Sequence, residues 1–336
     1  FSDINIRQRI FRRETKQNLV VNSPIFISSM TAGFEGSLQL NAVLAEAAQN
    51  CNWLMGVGSQ RKELNKELKL SDFGAESEWV KLRAKAPKAL LAGNIGISQL
   101  ITHGDRIQGL VDSLGAVALF VHTNPLQEAL QPEGTPQFKG SLQAIEKLCS
   151  RLSVPVILKE VGCGFSKATL RRLANTGLAA IDLSGLGGTH WGRLEGMRCP
   201  EDSLQKKASQ VFANWGNSTV QSLLWAKEVK QEIKEELKQE TKKDRDFEVW
   251  ASGGVRSGLD AAKLLAMGAN MVGVAKPLLE AALQGPEKVV EVMKQMEFEL
   301  KVAMFCTGVP NLDVFARDFA TNDNDKEKVW CYEKRS

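Results

Sequence analysis

The sequence is poor in the residues that hold structural metals or build disulfide frameworks. It has three histidines among 336 residues, and none of its six cysteines belongs to a Cys-x-x-Cys pair. Because the histidines have no Cys or His partner at a zinc-binding spacing, a zinc site is not predicted. Several cysteines lie inside apolar helical or strand patterns, which favours free thiols in a reducing cytosol over disulfides.

Long apolar runs and a strong net charge are also missing. No hydrophobic run reaches membrane-spanning length and no signal-peptide pattern opens the chain, so we expect a cytoplasmic protein without membrane contact. The formal net charge of +4 is too mild to predict a nucleic-acid partner, although it suits an anionic small substrate. The hydrophobic content of 43% is ample for a large core.

What the sequence does contain is a strict alternation of apolar runs with amphipathic helical patterns. The runs are continuously apolar, as in parallel strands that are covered on both faces. Eight of them in alternation favour a (β/α)8 barrel over an open doubly wound sheet. We expect one domain, with an extension at 1–23, the barrel at 24–285, helices at 286–320 and a polar tail at 321–336. The runs are PIFISSM, WLMGVGS, ALLAGNIG, AVALFVHTN, VPVILKEV, AAIDLSG, FEVWASGG and NMVGVA.

Polar side chains and glycines follow nearly every run. The reactive site of such a barrel lies at the C-terminal ends of the strands, so these residues are predicted to meet there. One imidazole, two amides and a carboxylate stand within seven positions at 122–128, and Gln60 and Arg61 follow GVGS. Lys159 ends a buried run and needs a carboxylate, a phosphate or an electron-rich ring. A bound flavin, a Schiff base and a structural ion pair all remain open for it.

The glycine pair Gly253 and Gly254 predicts a phosphate site, with the tight turn as the alternative. Glycines let backbone N–H groups approach an anion, and a helix that begins near Gly258 would add its positive end. The loops after the last two strands are the usual phosphate site of this fold. A Rossmann site is not predicted, because in SGLGGTHWG His190 stands where the last glycine of G-x-G-x-x-G should be.

Taken together, these motifs resemble the type 2 isopentenyl diphosphate isomerases, which are FMN-dependent (β/α)8 enzymes. The resemblance covers nearly the whole chain. It is carried by ISSMTAG, MGVGSQR, GNIG, HTNPLQE with QPEG, PVILKEVGCGFS, DLSGLGGTHW, WGNST and SGGVRSGLDAAKLLAMGA. It implies conversion of isopentenyl diphosphate to dimethylallyl diphosphate without net redox change, with reduced FMN as acid and base. It further implies NAD(P)H as reductant, magnesium, and a homotetramer or homo-octamer.

The resemblance also implies roles for individual residues. Glu128 would hold magnesium, and Gln127 would be the catalytic residue beside the isoprenoid carbons. The diphosphate would meet Gln60, Arg61, His122 and Asn124. FMN would contact Ser29, Met30, Thr31, Ser59, Asn94, Lys159, Ser184 and Thr189, with its phosphate on Gly253, Gly254 and Arg256 and with Ala275 and Lys276 closing the site.

Some positions depart from the family pattern. Ala32 replaces a second glycine, Thr123 a common leucine, and His190 a small residue beside the expected flavin. The family's N-terminal RK…H segment, which reaches a phosphate, is expected before Phe1.

Two other functions stay open on the same barrel. A 2-hydroxy acid oxidase would need a histidine base and paired arginines, whereas Gln127 and Glu128 occupy the key strand end. A non-catalytic flavin- or phosphate-binding protein is disfavoured by the presence of Gln127, Glu128, Arg61 and Lys159 together.

Overall fold

Eight parallel strands close into a barrel, which confirms the predicted fold class. The computed structural model describes residues 1–11, 19–30, 32, 34–64, 77–239 and 246–318. Each barrel strand pairs with its sequence neighbour, and the last pairs with the first. Every barrel strand falls within one of the eight apolar runs. Two strands, β1 (Gln8–Ile10) and β2 (Leu19–Val21), lie outside the barrel sheet. The barrel strands are β3 (Ile25–Ile27), β4 (Leu54–Gly56), β5 (Leu90–Gly96), β6 (Ala118–Thr123), β7 (Val156–Glu160), β8 (Ala180–Asp182), β9 (Glu248–Ser252) and β10 (Met271–Val274).

Aromatic side chains fill the interior of the barrel. Phe26, Phe120 and Trp250 are fully buried, and their ring centroids lie 5.0–6.0 Å apart. Side chains two positions apart on a strand face the same side, so the residues that follow these by two also point into the barrel. The interior is thus apolar in its lower part and polar toward the C-terminal strand ends.

The N-terminal end of the barrel is closed by the antiparallel hairpin of β1 and β2. The buried side chains of Ile10, Phe11 and Val21 join the core inside the barrel, and the Phe11 ring stacks on Trp250 at 5.6 Å. The described residues of the predicted extension at 1–23 therefore contribute side chains to the core inside the barrel. Each strand of the hairpin has only three residues, which is too short for an alternating pattern to predict it from the sequence.

Helices cover the outside of the barrel. The helix Ser37–Cys51 follows the first barrel strand, and the long C-terminal helix packs on three neighbouring helices outside the barrel. The helices are α1 (Ser37–Cys51), α2 (Arg61–Leu64), α3 (Glu78–Lys85), α4 (Ile97–His103), α5 (Ile107–Leu114), α6 (Pro125–Leu130), α7 (Ser141–Arg151), α8 (Lys167–Leu173), α9 (Trp191–Arg198), α10 (Leu204–Val211), α11 (Thr219–Gln239), α12 (Gly258–Ala266), α13 (Lys276–Ala282), α14 (Pro286–Cys306) and α15 (Leu312–Asp318).

Two short helices, α9 and α10, form an insertion after β8 that the sequence patterns did not predict. They pack on each other and on α6, which follows β6. Because α6 and the insertion both extend from C-terminal strand ends, their contact lies on the side of the barrel where the site is expected. The only residues of α9 that are buried are Gly192, Glu195 and Gly196, so an apolar stripe that would signal a helix is missing.

Two predictions made from the composition concern membrane-spanning helices and disulfides. Within that part of the chain, no helix combines the length and the apolar content needed to cross a membrane. The five cysteines that it contains are all free. The predicted polar tail at 321–336 lies outside the described residues.

The hairpin gives a prediction about stability. Val21→Ala removes two methyl groups from the closed end of the barrel and should lower the free energy of unfolding by about 2 kcal/mol. The matched control is Val20→Ala on the same strand, where the side chain is 43% exposed and the loss should stay below about 0.5 kcal/mol. Chemical denaturation measures both, and equal losses would mean that the hairpin does not seal the core.

Candidate active site

The register of three neighbouring strands aligns three ionisable residues of the site. His122 on β6 pairs with Lys159 on β7, and Lys159 pairs with Asp182 on β8. Each stands two positions after a buried apolar residue of the barrel interior, so all three side chains point inward. Asn94 on β5 and Ser252 on β9 follow the same rule. The barrel therefore carries a continuous polar layer above its apolar core.

Lys159 is buried in this layer, and its ammonium group contacts oxygen atoms only. It donates hydrogen bonds to the Ser184 hydroxyl and the Glu160 carbonyl, both at 3.0 Å, and to the Ser252 hydroxyl at 3.5 Å. Its partner in charge is Asp182, whose Oδ2 lies 3.3 Å from Nζ. The ion-pair interpretation of Lys159 is thus realised within the protein, and Asp182 is a site residue that the sequence analysis missed.

Three buried oxygens in this layer have no hydrogen-bond partner among the described residues. They are the hydroxyls of Ser28 and Ser29 and Oδ2 of Asp182. A buried polar atom without a partner costs free energy, so such atoms mark a place where a ligand completes the bonding. Hydroxyl and carboxylate oxygens within a polar layer fit a heterocyclic ring with N–H and carbonyl groups on its edge.

The glycines after β8 and β9 form a second part of the site. Gly253 and Gly254 have φ angles of 97° and 86°, and a Cβ on either would lie within 3 Å of the backbone of Gly185 or Gly187. Neither the Gly253 nor the Gly254 N–H group donates a hydrogen bond within the described residues. Free N–H groups at positions that no side chain can fill suit a phosphate group.

The N-terminus of α12 does not contribute as the sequence analysis expected. Asp260 accepts from the N–H groups of Arg256 and Ser257, and it forms a capping box with Ser257. The next N–H group, that of Gly258, donates to Glu299 at 2.6 Å. Because carboxylates already bind these groups, the helix end is not available to an anion. The Arg256 guanidinium donates to the carbonyls of Gly187 and Gly254, which ties the two glycine loops together.

His122 is partly buried, and its Nδ1 lies 3.0 Å from the side-chain oxygen of Asn94. The pKa of His122 is lowered to about 4, chiefly by burial; Glu128 opposes this shift, and the cations Lys159 and Arg61 add to it. The imidazole is therefore neutral at pH 7. With Nδ1–H donated to Asn94, Nε2 is the atom left for a substrate.

Asn124, Gln127 and Glu128 are linked by hydrogen bonds at the start of α6. The Asn124 amide donates to Gln127 Oε1 at 3.0 Å and to Glu128 Oε1 at 2.9 Å. The other carboxylate oxygen of Glu128 accepts from the N–H group of Thr135 at 2.7 Å. Pro125 begins the helix at a position where its missing N–H group is not needed, so the polar residues of this motif are fixed on its first turn.

Glu195 of the α9–α10 insertion completes this network. Its side chain is buried, and Oε1 accepts from Gln127 Nε2 at 2.8 Å while Oε2 binds Arg198 at 2.8 Å. The Gln127 amide is thus held at both ends, by Asn124 and by Glu195. The sequence analysis missed Glu195, because its position in an unpredicted helix gave no sign that it meets α6.

The residues after β4 divide into two groups. Arg61 begins α2, and within the described chain its guanidinium has no ion-pair partner. Gln60 is fully buried, and its amide accepts from the Asn94 N–H group and donates weakly to the Leu110 carbonyl. This placement makes Gln60 a support for the end of β5. Its direct contact with a diphosphate stays a prediction, as does a flavin contact for the partly exposed Ser59.

The Glu160 side chain faces away from Lys159 and organises the loop that follows β7. Its Oε2 accepts from the backbone N–H groups of Val161, Gly162, Cys163 and Gly164. The pKa of Glu160 is raised to about 7, because burial outweighs the opposing effect of the backbone hydrogen bonds from Val161, Gly162 and Cys163 and of the Lys159 charge. The carboxyl group shapes this loop and is not exposed to the site.

His190, one of the departures from the family pattern, has a structural position. Its Nδ1 accepts from the Arg193 N–H group, which makes it the N-cap of α9, and Nε2 lies 3.1 Å from the Trp215 carbonyl. The neutral tautomer with a proton on Nε2 satisfies both contacts. Cys163 lies 3.7 Å away, but burial raises the pKa of its thiol to about 12, so the pair is not an activated nucleophile.

The other residues predicted to contact FMN lie on the same side of the barrel. Ser184 is buried after β8 with a φ of 38°, and Thr189 is exposed in the loop before α9. Met30 is partly buried after β3, and Ala275 and Lys276 stand at the start of α13. Thr31 lies outside the described residues. Their contacts with FMN stay predictions.

Comparison with known proteins defines the class of this chain. The sequence model of the family described as FMN-dependent dehydrogenase matches residues 113–322. That range holds most of the polar layer and both glycine loops. With the closed barrel, it makes the chain a member of the FMN-dependent dehydrogenase family, and FMN is the cofactor that the unpartnered oxygens and N–H groups fit.

Curated relatives define the family more narrowly. An isopentenyl-diphosphate delta-isomerase of Bdellovibrio bacteriovorus is 52% identical over 93% of this chain and 84% of its own length. One from Legionella pneumophila is 49% identical over the same shares, and one from Synechococcus is 41% identical over 85% and 77%. The chain belongs to the isopentenyl-diphosphate delta-isomerase family, and it is an isomerase.

Solved structures support the fold alone. A mandelate oxidase with an FMN adduct superposes with a TM-score of 0.58 over 94% of this chain and 83% of its own, at 16% identity. At that identity the likeness says nothing about the reaction. The alternative prediction of a 2-hydroxy acid oxidase therefore gains no support from this likeness or from the relatives above.

The neutral imidazole of His122 gives a prediction about pH. The folded-state pKa of about 4 lies below the ordinary 6.5, so the unfolded chain binds more protons here between these values. The stability contributed by neutral His122 is complete above pH 6.5 and is lost as the pH falls toward 4. Relative to His122→Gln, the wild type should lose free energy of unfolding across this range. Parallel pH profiles of the two proteins would contradict the assignment.

Proposed function

We propose that this protein converts isopentenyl diphosphate to dimethylallyl diphosphate with reduced FMN and magnesium. The observation that carries the proposal is the network at the start of α6, where Asn124 and Glu195 hold the Gln127 amide from both ends. The curated relatives carry the name of this reaction. Moving a double bond by one carbon requires a proton added at one carbon and removed from another, so the site needs groups placed on both.

The diphosphate would lie between α2 and the end of β6. Arg61 supplies a cation without an ion-pair partner in the described chain, and charge-assisted bonds to phosphate are the strong ones. His122 offers Nε2, which has to gain a proton before it can donate to a phosphate oxygen. Asn124 supports this end through its amide. A diphosphate bound here would raise the pKa of His122 from its low value in the free protein.

Magnesium would lie between Glu128 and the diphosphate. Magnesium takes oxygen ligands and often combines one carboxylate with substrate phosphate and water. In the described part of the chain, no three His, Cys, Asp or Glu side chains gather as a complete metal site. A lone carboxylate that depends on substrate oxygens agrees with this. The Asn124 and Thr135 hydrogen bonds orient Glu128 for that role.

FMN would be held by the polar layer and the glycine loops. Ser29, Asn94, Lys159 and Ser184 would surround the ring, and Gly253 and Gly254 would bind its phosphate. Met30, Thr31, Ser59, Thr189, Arg256, Ala275 and Lys276 complete the proposed set. Reduced FMN supplies an electron-rich ring that stabilises positive charge and can exchange a proton with the substrate.

Gln127 orients the reacting end of the substrate. Its amide is neutral and is a poor proton source, and one of the two Nε2 hydrogens is donated to Glu195. This hydrogen bond fixes the amide with Oε1 toward Asn124 and keeps it from rotating. A held amide beside a carbon excludes water and sets the face from which a proton is added or removed.

The cellular setting is part of the proposal. NAD(P)H would reduce FMN, and the free cysteines of the described chain suit a reducing cytoplasm. A homo-oligomer, tetramer or octamer, is supported by apolar side chains that the α9–α10 insertion exposes. Met197, Leu204 and Val211 are 71%, 81% and 82% exposed, and clusters of such side chains mark protein interfaces.

The reaction itself is the first test. The purified protein is reconstituted with FMN, reduced with dithionite or NADPH, and given magnesium and isopentenyl diphosphate, and NMR follows dimethylallyl diphosphate. The wild type should convert the substrate, and Gln127→Ala should keep FMN while its kcat falls by about 100-fold or more. The loss follows from removal of the amide that Asn124 and Glu195 hold in place.

The control for this test is Gln284→Ala, which changes an exposed glutamine between α13 and α14 and should keep full turnover. A wild type that binds FMN and stays reduced but does not convert the substrate would refute the proposed reaction. Full turnover by Gln127→Ala would instead show that the amide has no part in proton transfer or in positioning.

Magnesium binding gives a separate prediction. Glu128→Gln keeps the size of the side chain but removes its charge, so the magnesium concentration for half-maximal activity should rise about tenfold or more. Glu133→Gln is the matched control, because Glu133 is an exposed carboxylate in the same segment. A magnesium titration of each variant decides the matter, and an unchanged midpoint for Glu128→Gln would rule out the ligand role.

A further inference from the structure

Asp182 is the most deeply buried carboxylate of the polar layer, and the proposed reaction gives it no role. Its side chain has no exposed surface. Oδ1 accepts a hydrogen bond from the Ser252 hydroxyl at 2.7 Å. Oδ2 lies 3.3 Å from Lys159 Nζ but has no hydrogen-bond partner in the described chain. Burying a carboxylate costs free energy, and here one oxygen has an ion pair with a lysine but no hydrogen bond. We therefore looked for a role that this carboxylate has beside Lys159.

Asp182 determines the net charge of the group of side chains around Lys159. The other groups that its ammonium contacts are neutral oxygens of Glu160, Ser184 and Ser252. His122, the next residue in the register, is neutral at pH 7. The Glu160 carboxyl turns away toward the N–H groups of its own loop. Asp182 is therefore the one carboxylate in contact with Lys159 among the described residues, and together the two have no net charge.

The charge of this pair matters for a flavin that Lys159 contacts. The isoalloxazine ring is neutral when oxidised, and its reduced form can give up a proton and become an anion. A nearby cation favours the anion, and an equal negative charge beside that cation removes most of the effect. The charge near the ring is one of the means by which a protein tunes a flavin.

We propose that Asp182 is a tuning residue that offsets the charge of Lys159 and thereby limits the stabilisation of an anionic reduced flavin. The inference rests on the proposed contact between Lys159 and FMN. It deepens the proposed function, because an isomerase that exchanges a proton with its substrate benefits from a reduced flavin that keeps its proton. Asp182 also fixes the direction of the Lys159 side chain, with Ser252 holding the carboxylate in place.

The test measures the two-electron midpoint potential of bound FMN, which does not depend on turnover. Asp182→Asn leaves Lys159 without its countercharge, so reduced FMN should bind about tenfold more tightly relative to oxidised FMN, a rise of about 30 mV. Lys159→Gln should shift the potential in the opposite direction. The double variant Lys159→Gln/Asp182→Asn should return close to the wild type. Asp112→Asn, an exposed aspartate on α5, is the charge control and should leave the potential unchanged.

The double variant keeps the test decisive if Asp182→Asn does not fold. It replaces both charges by neutral groups of similar size, which buried sites often tolerate. Its potential should lie above that of Lys159→Gln, and equal potentials would overturn the inference. Ser252→Ala keeps both charges, so a shift as large as that of Asp182→Asn would also overturn it, since hydrogen bonding and not charge would then be the cause.

Failure of the inference can be told apart from failure of the proposed function. If Lys159→Gln lowers the potential but Asp182→Asn does not raise it, Lys159 contacts the flavin and only the role of Asp182 is wrong. If Lys159→Gln changes neither the FMN affinity nor the potential, the proposed flavin contact of Lys159 is wrong, and the inference about Asp182 is overturned with it.

Discussion

The parallel register of the closed barrel is the constraint on which the site depends. It sets His122 beside Lys159 and Lys159 beside Asp182, although these residues are 23 or more positions apart in the sequence. The interior is apolar at Phe120 and Trp250 and becomes polar two residues later, at His122 and Ser252. No single strand could build such a polar layer, because successive inward side chains of one strand lie at different levels of the barrel.

Buried polar groups in this layer are stabilised in two different ways. Glu160 is satisfied by four backbone N–H groups of its own loop, and Gln60 by the backbone of its neighbours, so both support the structure. Among the described residues, the hydroxyls of Ser28 and Ser29 have no hydrogen-bond partner, Oδ2 of Asp182 has only its ion pair with Lys159, and the N–H groups of Gly253 and Gly254 have no acceptor. The contrast separates residues that hold the barrel together from residues that are ready for a ligand.

Much of the fold and part of the site could be predicted, because local patterns report local structure. Eight continuous apolar runs were enough for the barrel, and a lysine after VPVIL was enough to require a buried partner. Asp182 could have been found by the same rule, since it follows Ala180 of the interior by two positions. Glu195 could not, because its helix has no apolar stripe and its contact with Gln127 spans 68 residues. The start of α12 was expected to add its N–H groups to the phosphate site, but Asp260 and Glu299 accept hydrogen bonds from these groups, and Glu299 is distant in sequence.

The sequence by itself determined the strands, their order, the ends at which polar residues collect and the family that the motifs resemble. These are properties of residue type and spacing along one chain segment. Only the tertiary structure decided which polar groups meet. It paired Lys159 with Asp182, fastened Gln127 between Asn124 and Glu195, and brought the hairpin of the first residues under the barrel. Such contacts join segments that are distant in sequence and are brought together in space by closure of the barrel and by packing of the helices around it. A local sequence pattern does not encode which distant segments meet.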